Sequence, residues 1–370
     1  MDSMITGRSR VKRAIAREDL DRIPFYCDEL FVDTERRWLS EGLPASQKER
    51  EDLFDYDCTD LFVDSSMRFE PKLIEENEET MTVADKYGFV AIRNKLIPGI
   101  NYLEHPIKTC QDWQRYKERL HVDFGGCSRI HEVSYFEPFE VWPSRSQAAE
   151  IFAAKRASGR YITLRVYGPW ELIWRLRGYN EALMDFYDNR EMIEDMVDCF
   201  TTFLLDVVNE GITHGIKPDC LFLLDDLGSN NTLLFSADII NSLLAPCYTQ
   251  LGRFLKKQDI DFFVHSCGEV TGIIPTLVDA GVDVLNPLQA TAMDVVDLKS
   301  QYGEQLTFLG NINSRIFHDR KAILAELNRK IPVAMQGGGF IFACDHSIPS
   351  NVSLEDYLFI LCQAKRLGTY

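Results

Sequence analysis

Apolar and polar positions alternate along this chain in two different rhythms, and the change between them divides it. From Ser144 onward short apolar runs recur, each followed by a segment with helical spacing of its apolar residues. The runs are Tyr161–Val166, Cys220–Leu224, Phe262–His265, Val282–Leu285, Leu306–Leu309 and Phe340–Phe342, with a final helix over Leu354–Leu367. Strands that are apolar throughout and separated by helices predict a buried parallel sheet. Two further candidates stand near the N-terminus, at Ile23 and Leu61, and bring the count to eight. Eight such units predict an α/β protein of the (β/α)8 TIM-barrel class.

Between the early and late strands the rhythm is antiparallel. Thr80–Ala84 and Phe89–Arg93 flank Asp85-Lys86-Tyr87-Gly88, which predicts a β-hairpin inserted over residues 78–102. Residues 121–143 carry Gly, Pro and aromatic side chains without periodicity and read as a long irregular loop. Its Tyr135, Phe136 and Trp142 are candidates for shielding a pocket from water. The whole of 1–370 reads as one barrel domain with these two additions.

Composition narrows the picture. With 40 Lys and Arg against 57 Asp and Glu, the formal net charge is −17, which argues against sequence-independent nucleic-acid binding. No apolar run reaches the roughly 18 residues of a membrane span, and no apolar leader precedes Arg22, so a cytoplasmic location is expected. Ten scattered cysteines without a Cys-x-x-Cys pair read as reduced thiols. A small molecule or another protein is therefore the expected partner; oligomeric state leaves no trace in the sequence.

In a (β/α)8 barrel the ligand site forms at the carboxyl ends of the strands. The residues there are Tyr167-Gly168-Pro169, Asp225-Asp226, His265-Ser266-Cys267, Asn286-Pro287-Leu288-Gln289, Asn311-Ile312-Asn313 and Cys344-Asp345-His346. His265 and Cys267, at i and i+2 of an extended segment, point the same way and offer an imidazole and a thiolate to zinc. Cys344 and His346 compete for the third ligand position, with Cys344 placed first for its soft thiolate. Asp225 and Asp226, being adjacent, face opposite sides, so one of them is expected in the pocket as a base or an orienting group. His346 completes the candidate catalytic set. Tyr167, Asn286, Gln289, Asn311 and Asn313 are candidates for binding substrate, with turn formation as the competing role for each Asn.

These motifs together resemble the uroporphyrinogen decarboxylase superfamily. The resemblance is carried by Tyr167-Gly168-Pro169-Trp170, Asp225-Asp226-Leu227-Gly228, His265-Ser266-Cys267-Gly268, Gly281 to Gln289, Leu309-Gly310-Asn311-Ile312 and Asp345 to Pro349, with a first helix and strand over Arg10–Pro24. The superfamily contains decarboxylases and zinc-dependent methyltransferases that exchange methyl groups with a corrinoid protein. The decarboxylases carry an Arg-Gln-Ala-Gly-Arg-Tyr segment, where this chain has Tyr26-Cys27-Asp28-Glu29-Leu30-Phe31 and neither Arg. The resemblance thus implies a zinc-dependent methyltransferase, in which His265 and Cys267 match the first half of a His-x-Cys then distant Cys motif for Zn2+, while the distant Cys of that motif falls nearer His346 than Cys344. Such an enzyme would move a methyl group between a methoxylated aromatic or a thiol or thioether and the cobalt of a cobalamin-type cofactor on a partner protein. A metal-free decarboxylase acting on a small carboxylic acid is the alternative.

Overall fold

The computed structural model describes residues 5–26, 29–123, 125–134, 137–139 and 142–370. Seven parallel strands follow one another in register: Cys58–Val63, Tyr161–Tyr167, Cys220–Leu224, Asp261–His265, Val284–Asn286, Thr307–Leu309 and Phe340–Ile341. Residues 23–26 supply the eighth. Phe25 bridges Phe342 in parallel, Phe342 N donates to Pro24 O, Tyr26 N donates to Phe342 O, and Asp57 N donates to Phe25 O. These bonds join the last strand to the second one through the first, and the sheet closes into the expected (β/α)8 barrel.

The two-residue period of the strands sorts their side chains. Tyr26, Cys58, Tyr161, Cys220, Phe222, Phe263, Val284, Leu309 and Ile341 form a cluster inside the barrel. Their neighbours Ile162, Leu164, Leu221, Leu223, Phe262 and Val264 face outward and join the larger core under the helices. The 24-residue helix Arg190–Thr213 buries Met192, Ile193, Met196, Val197, Phe200, Phe203, Leu204, Val207 and Val208, the stripe of a helix lying on a sheet. By the same alternation Phe263 and His265 share the inward row, as do Tyr161, Thr163 and Arg165.

The amino-terminal end of the barrel is sealed by the helix Gly7–Ala16, whose Val11 belongs to the interior cluster. Arg8 pairs with Asp219 at 2.7 Å, Arg10 with Asp57 at 2.5 Å and Lys12 with Asp261 at 2.9 Å. Acids at the strand starts thus hold a basic helix across the closed end, which leaves the other end for a ligand.

Two insertions differ from the sequence reading. The expected hairpin is half of a four-stranded antiparallel sheet, Lys72–Glu76, Thr80–Ala84, Val90–Asn94 and Ile100–Glu104. The outer strand is exposed at every residue, so no apolar alternation marks it. Within residues 121–143, Ile130–His131 pairs antiparallel with the second barrel strand. Arg129 anchors it, its buried guanidinium donating to the carbonyls of Asp64, Ser66, Arg119 and His121. Tyr135 and Phe136 lie outside the described residues. Trp142 stacks on Arg68 at 4.8 Å and does not line the ligand cavity.

Candidate active site at the carboxyl end of the barrel

A cavity of about 290 Å³ opens at the carboxyl ends of the strands. Its wall includes Tyr26, Arg165, Tyr167, Asp226, His265, Cys267, Asn286, Cys344 and His346, so strand ends distant in sequence meet in one place.

Two loops bring the central trio together. A Cβ on Gly228 would lie 2.6 Å from Cys267 O, and one on Gly268 would lie 2.5 Å from both Gly228 C and Ser229 O, so only glycines allow this approach. Leu227 N donates to Ser266 Oγ, Glu269 N to Ser229 O and Cys267 N to Asp226 Oδ1. As a result Cys267 Sγ stands 3.4 Å and Asp226 Oδ1 3.5 Å from His265 Nε2. Among the described residues this is the trio of His, Cys, Asp or Glu whose ligand atoms all lie within 4.8 Å of one another.

The orientation of His265 follows from Asn286. Asn286 Nδ2 donates to Leu309 O, which turns its Oδ1 toward His265 Nδ1 at 2.5 Å. Nδ1 therefore carries the proton and donates, leaving the Nε2 lone pair free to face Cys267 and Asp226. Burial, reinforced by the Asp226 charge, pushes the Cys267 thiol well above its usual range. Without a cation the sulfur keeps its proton. A divalent metal reverses that preference, because thiolate is the form that binds it.

The donor set fits zinc. Two ligands about 2.0 to 2.3 Å from a tetrahedral zinc stand about 3.3 to 3.8 Å apart. The distances of 3.4 and 3.5 Å fall within that span. Nitrogen, sulfur and carboxylate oxygen are all zinc donors, and three of them leave a position for substrate, as in catalytic sites. The third member here is Asp226. Cys344 lines the same cavity, but its Sγ donates to His346 O at 2.8 Å and falls outside the 4.8 Å cluster. His346 packs against Phe31, with ring centroids 5.5 Å apart.

The paired acids divide by face. Asp226 enters the cavity, while Asp225 is fully buried behind it, accepting from Glu171 N at 3.0 Å and Tyr248 Oη at 2.5 Å. Burial raises its carboxyl well above the usual value. Asp225 thereby caps the helix Pro169–Arg177, and a Cβ on Gly168 would collide with its carboxylate, which explains why Tyr167-Gly168-Pro169 and Asp225 belong together. Asn311, at φ 68°, uses its side chain on Leu288 O, Met293 O and Val295 N. Asn313 caps the turn at Ser314, and Gln289 accepts from Gly268 N. These three brace loops and do not line the cavity, whereas Tyr167 and Asn286 do.

Four charged residues of the wall were not singled out from the sequence. Arg165 pairs with Glu29 at 2.6 Å and Asp60 at 3.3 Å, and Arg175 pairs with Glu171 one helical turn before it. The inward row of the third strand pointed to Arg165, and the i, i+4 spacing after Tyr167-Gly168-Pro169 pointed to Glu171 and Arg175.

Fold and site define a barrel with a cluster able to hold a metal ion at its mouth. The chain belongs to the uroporphyrinogen decarboxylase (URO-D) family, whose model matches residues 136–366. Among solved structures, a methyltransferase from Methanosarcina mazei shares the fold at a TM-score of 0.64, with 15% identity over 98% of each chain. Dispersin B aligns at a TM-score of 0.33 with 12% identity, over 61% of this chain and 75% of its own, too distantly to bear on the site. No curated protein matches the chain in sequence. Among the described residues no helix is long and apolar enough to cross a membrane.

Proposed function

We propose that this protein is a zinc-dependent methyltransferase of the cytoplasm, moving a methyl group between a small methylated compound and the cobalt of a corrinoid carried by a partner protein. The compound is a methoxylated aromatic or a thiol or thioether. The observation that carries the reading is the Asp226, His265 and Cys267 cluster at the barrel mouth, with spacings that suit zinc. The fold shared with a methyltransferase agrees with it.

Asp226, His265 and Cys267 would hold the metal, and Asn286 keeps the His265 lone pair turned toward it. Zinc there supplies a Lewis acid for the oxygen or sulfur that gains or loses the methyl group. Cys267 gives up its proton as the site fills. Tyr167 and Phe222 line the pocket for the donor's body, and His346 is the group of the wall that holds a proton for the departing heteroatom. A cob(I)alamin-type corrinoid on the partner would supply the electron pair that accepts the methyl group. The residues of this chain would stabilise the heteroatom that keeps its bonding pair, Asp226, His265 and Cys267 through the metal they hold and His346 through its proton.

Metal-free decarboxylation of a small acid is the weaker reading, because it leaves the trio without a role. A highly anionic substrate fits still less well, since Arg165 and Arg175 already pair with carboxylates of this chain. The test is incubation with cob(I)alamin and a panel of methyl ethers and thioethers, following methylcobalamin by absorbance. Turnover that falls at least about 100-fold in Cys267→Ala and Asp226→Ala supports the reading. Undiminished turnover after metal removal, or none with any donor in zinc-loaded protein, contradicts it.

A further inference from the structure

The cavity wall contains two guanidinium groups, and they are not equivalent. Arg165 is held from two sides, by Glu29 and by Asp60. Arg175 is 93% buried, with 7% of its surface exposed, yet its hydrogen bonds all leave from one nitrogen, Nη1, which donates to the backbone oxygen and the carboxylate of Glu171. Among the described residues neither Nη2 nor Nε has a hydrogen-bond partner. Those two nitrogens form one edge of the planar fork, the edge that matches a carboxylate side-on.

The plane of the fork is also fixed. The guanidinium carbon lies 3.9 Å from the centroid of the Tyr167 ring and 4.2 Å from that of Trp174. Ring contacts on the guanidinium and Glu171 on Nη1 leave the group few ways to turn. The edge without a partner belongs to a guanidinium of the cavity wall, where a ligand's carboxylate can reach it.

We propose that Arg175 is a substrate-binding residue that grips one carboxylate of the substrate through its Nε and Nη2 edge, so that the compound acted on here is a small monocarboxylate. The proposal rests on reading this cavity as the substrate site of the methyl transfer. Charge sets the limit at one anionic group. Glu29, Glu171, Asp226 and Asp345 face the cavity against Arg165 and Arg175, and Arg175 offers its single vacant edge. A dianionic phosphate would add a second charge with no guanidinium edge left to meet it. The rings of Tyr26, Phe31, Tyr167 and Phe222 and a volume near 290 Å³ suit the body of a one-ring acid.

Calorimetric titration of the zinc-loaded full-length protein with benzoate and with benzamide tests this, because the two probes differ in charge and hardly in shape. Benzoate is expected to bind at least about tenfold more tightly than benzamide. Arg175→Lys, which keeps the charge but loses the fork, is expected to remove most of that preference. The double variant Glu171→Gln with Arg175→Gln, which leaves no lone buried charge behind, is expected to remove all of it. Equal binding of the two probes, or a benzoate preference that survives in both variants, overturns the proposal; survival would assign the carboxylate to the metal. Failure of methyl transfer is read separately, since a benzoate preference that depends on Arg175 stands without any turnover with cob(I)alamin.

Discussion

At the scale of single residues, the site depends on groups whose work is to aim others. Asn286 was legible as a polar strand end but not as a partner of His265, because that contact requires the fifth and sixth strands to pair in register, His265 beside Asn286. Replacing it with Ala removes the acceptor that fixes the imidazole tautomer. Metal affinity measured by chelator competition is expected to fall about 10- to 100-fold in Asn286→Ala, with unfolding unchanged within about 1 kcal/mol. Unaltered affinity would show that His265 needs no such partner. The adjacent acids give a similar lesson: strict alternation separated Asp225 from Asp226, but which of them reached the pocket was settled by Gly168 and Gly228, whose missing side chains admit Asp225 on one side and Cys267 on the other.

At the scale of elements, the barrel's two ends use charge in different ways. The closed end holds Asp57, Asp219, Asp261 and Asp283 at strand starts, with Arg8, Arg10 and Lys12 of the first helix over the first three. Asp283 accepts from Phe262 N, and burial raises its carboxyl to about 6. An acid whose folded value lies above its unfolded value of about 3.9 favours folding most at low pH, and that contribution is lost as pH rises through about 6. Asp283→Asn keeps an acceptor for Phe262 N but cannot ionise. Urea unfolding from pH 4 to 7 should therefore show wild type losing up to about 3 kcal/mol relative to Asp283→Asn across that window. Parallel stability profiles would contradict the assignment. These acids were visible in the sequence, but their convergence around one helix was not, because nothing local marks which strand starts share an end.

At the scale of the whole molecule, the periodic half of the chain was the readable half. Apolar runs separated by helices gave six strands directly, and the alternation within each placed His265 and Cys267 toward the mouth. The first strand was harder, since residues 23–26 join the sheet through a few backbone bonds on either side and bury Phe25 and Tyr26 only once the barrel closes. The insertion at Lys72–Glu104 extends past the hairpin because its outer strand is solvent-exposed and carries no alternation. Which strand-end donor stands beside His265 lay beyond sequence reading: Asp226 and Cys344 both line the cavity, and the loop contact between Gly228 and Gly268 brings Asp226 into the cluster. The charge of the mouth, with each arginine matched by an acid, likewise emerges only from the assembled wall.

The central claim is that Asp226, His265 and Cys267 hold one zinc, with Cys344 outside the ligand set. X-ray absorption at the zinc edge of protein prepared without chelator measures this directly. The account predicts about one zinc per chain with a single sulfur near 2.3 Å and nitrogen and oxygen near 2.0 to 2.2 Å, and a spectrum that Cys344→Ala leaves unchanged. Absence of zinc, or two sulfurs per zinc with one of them lost in Cys344→Ala, would contradict it.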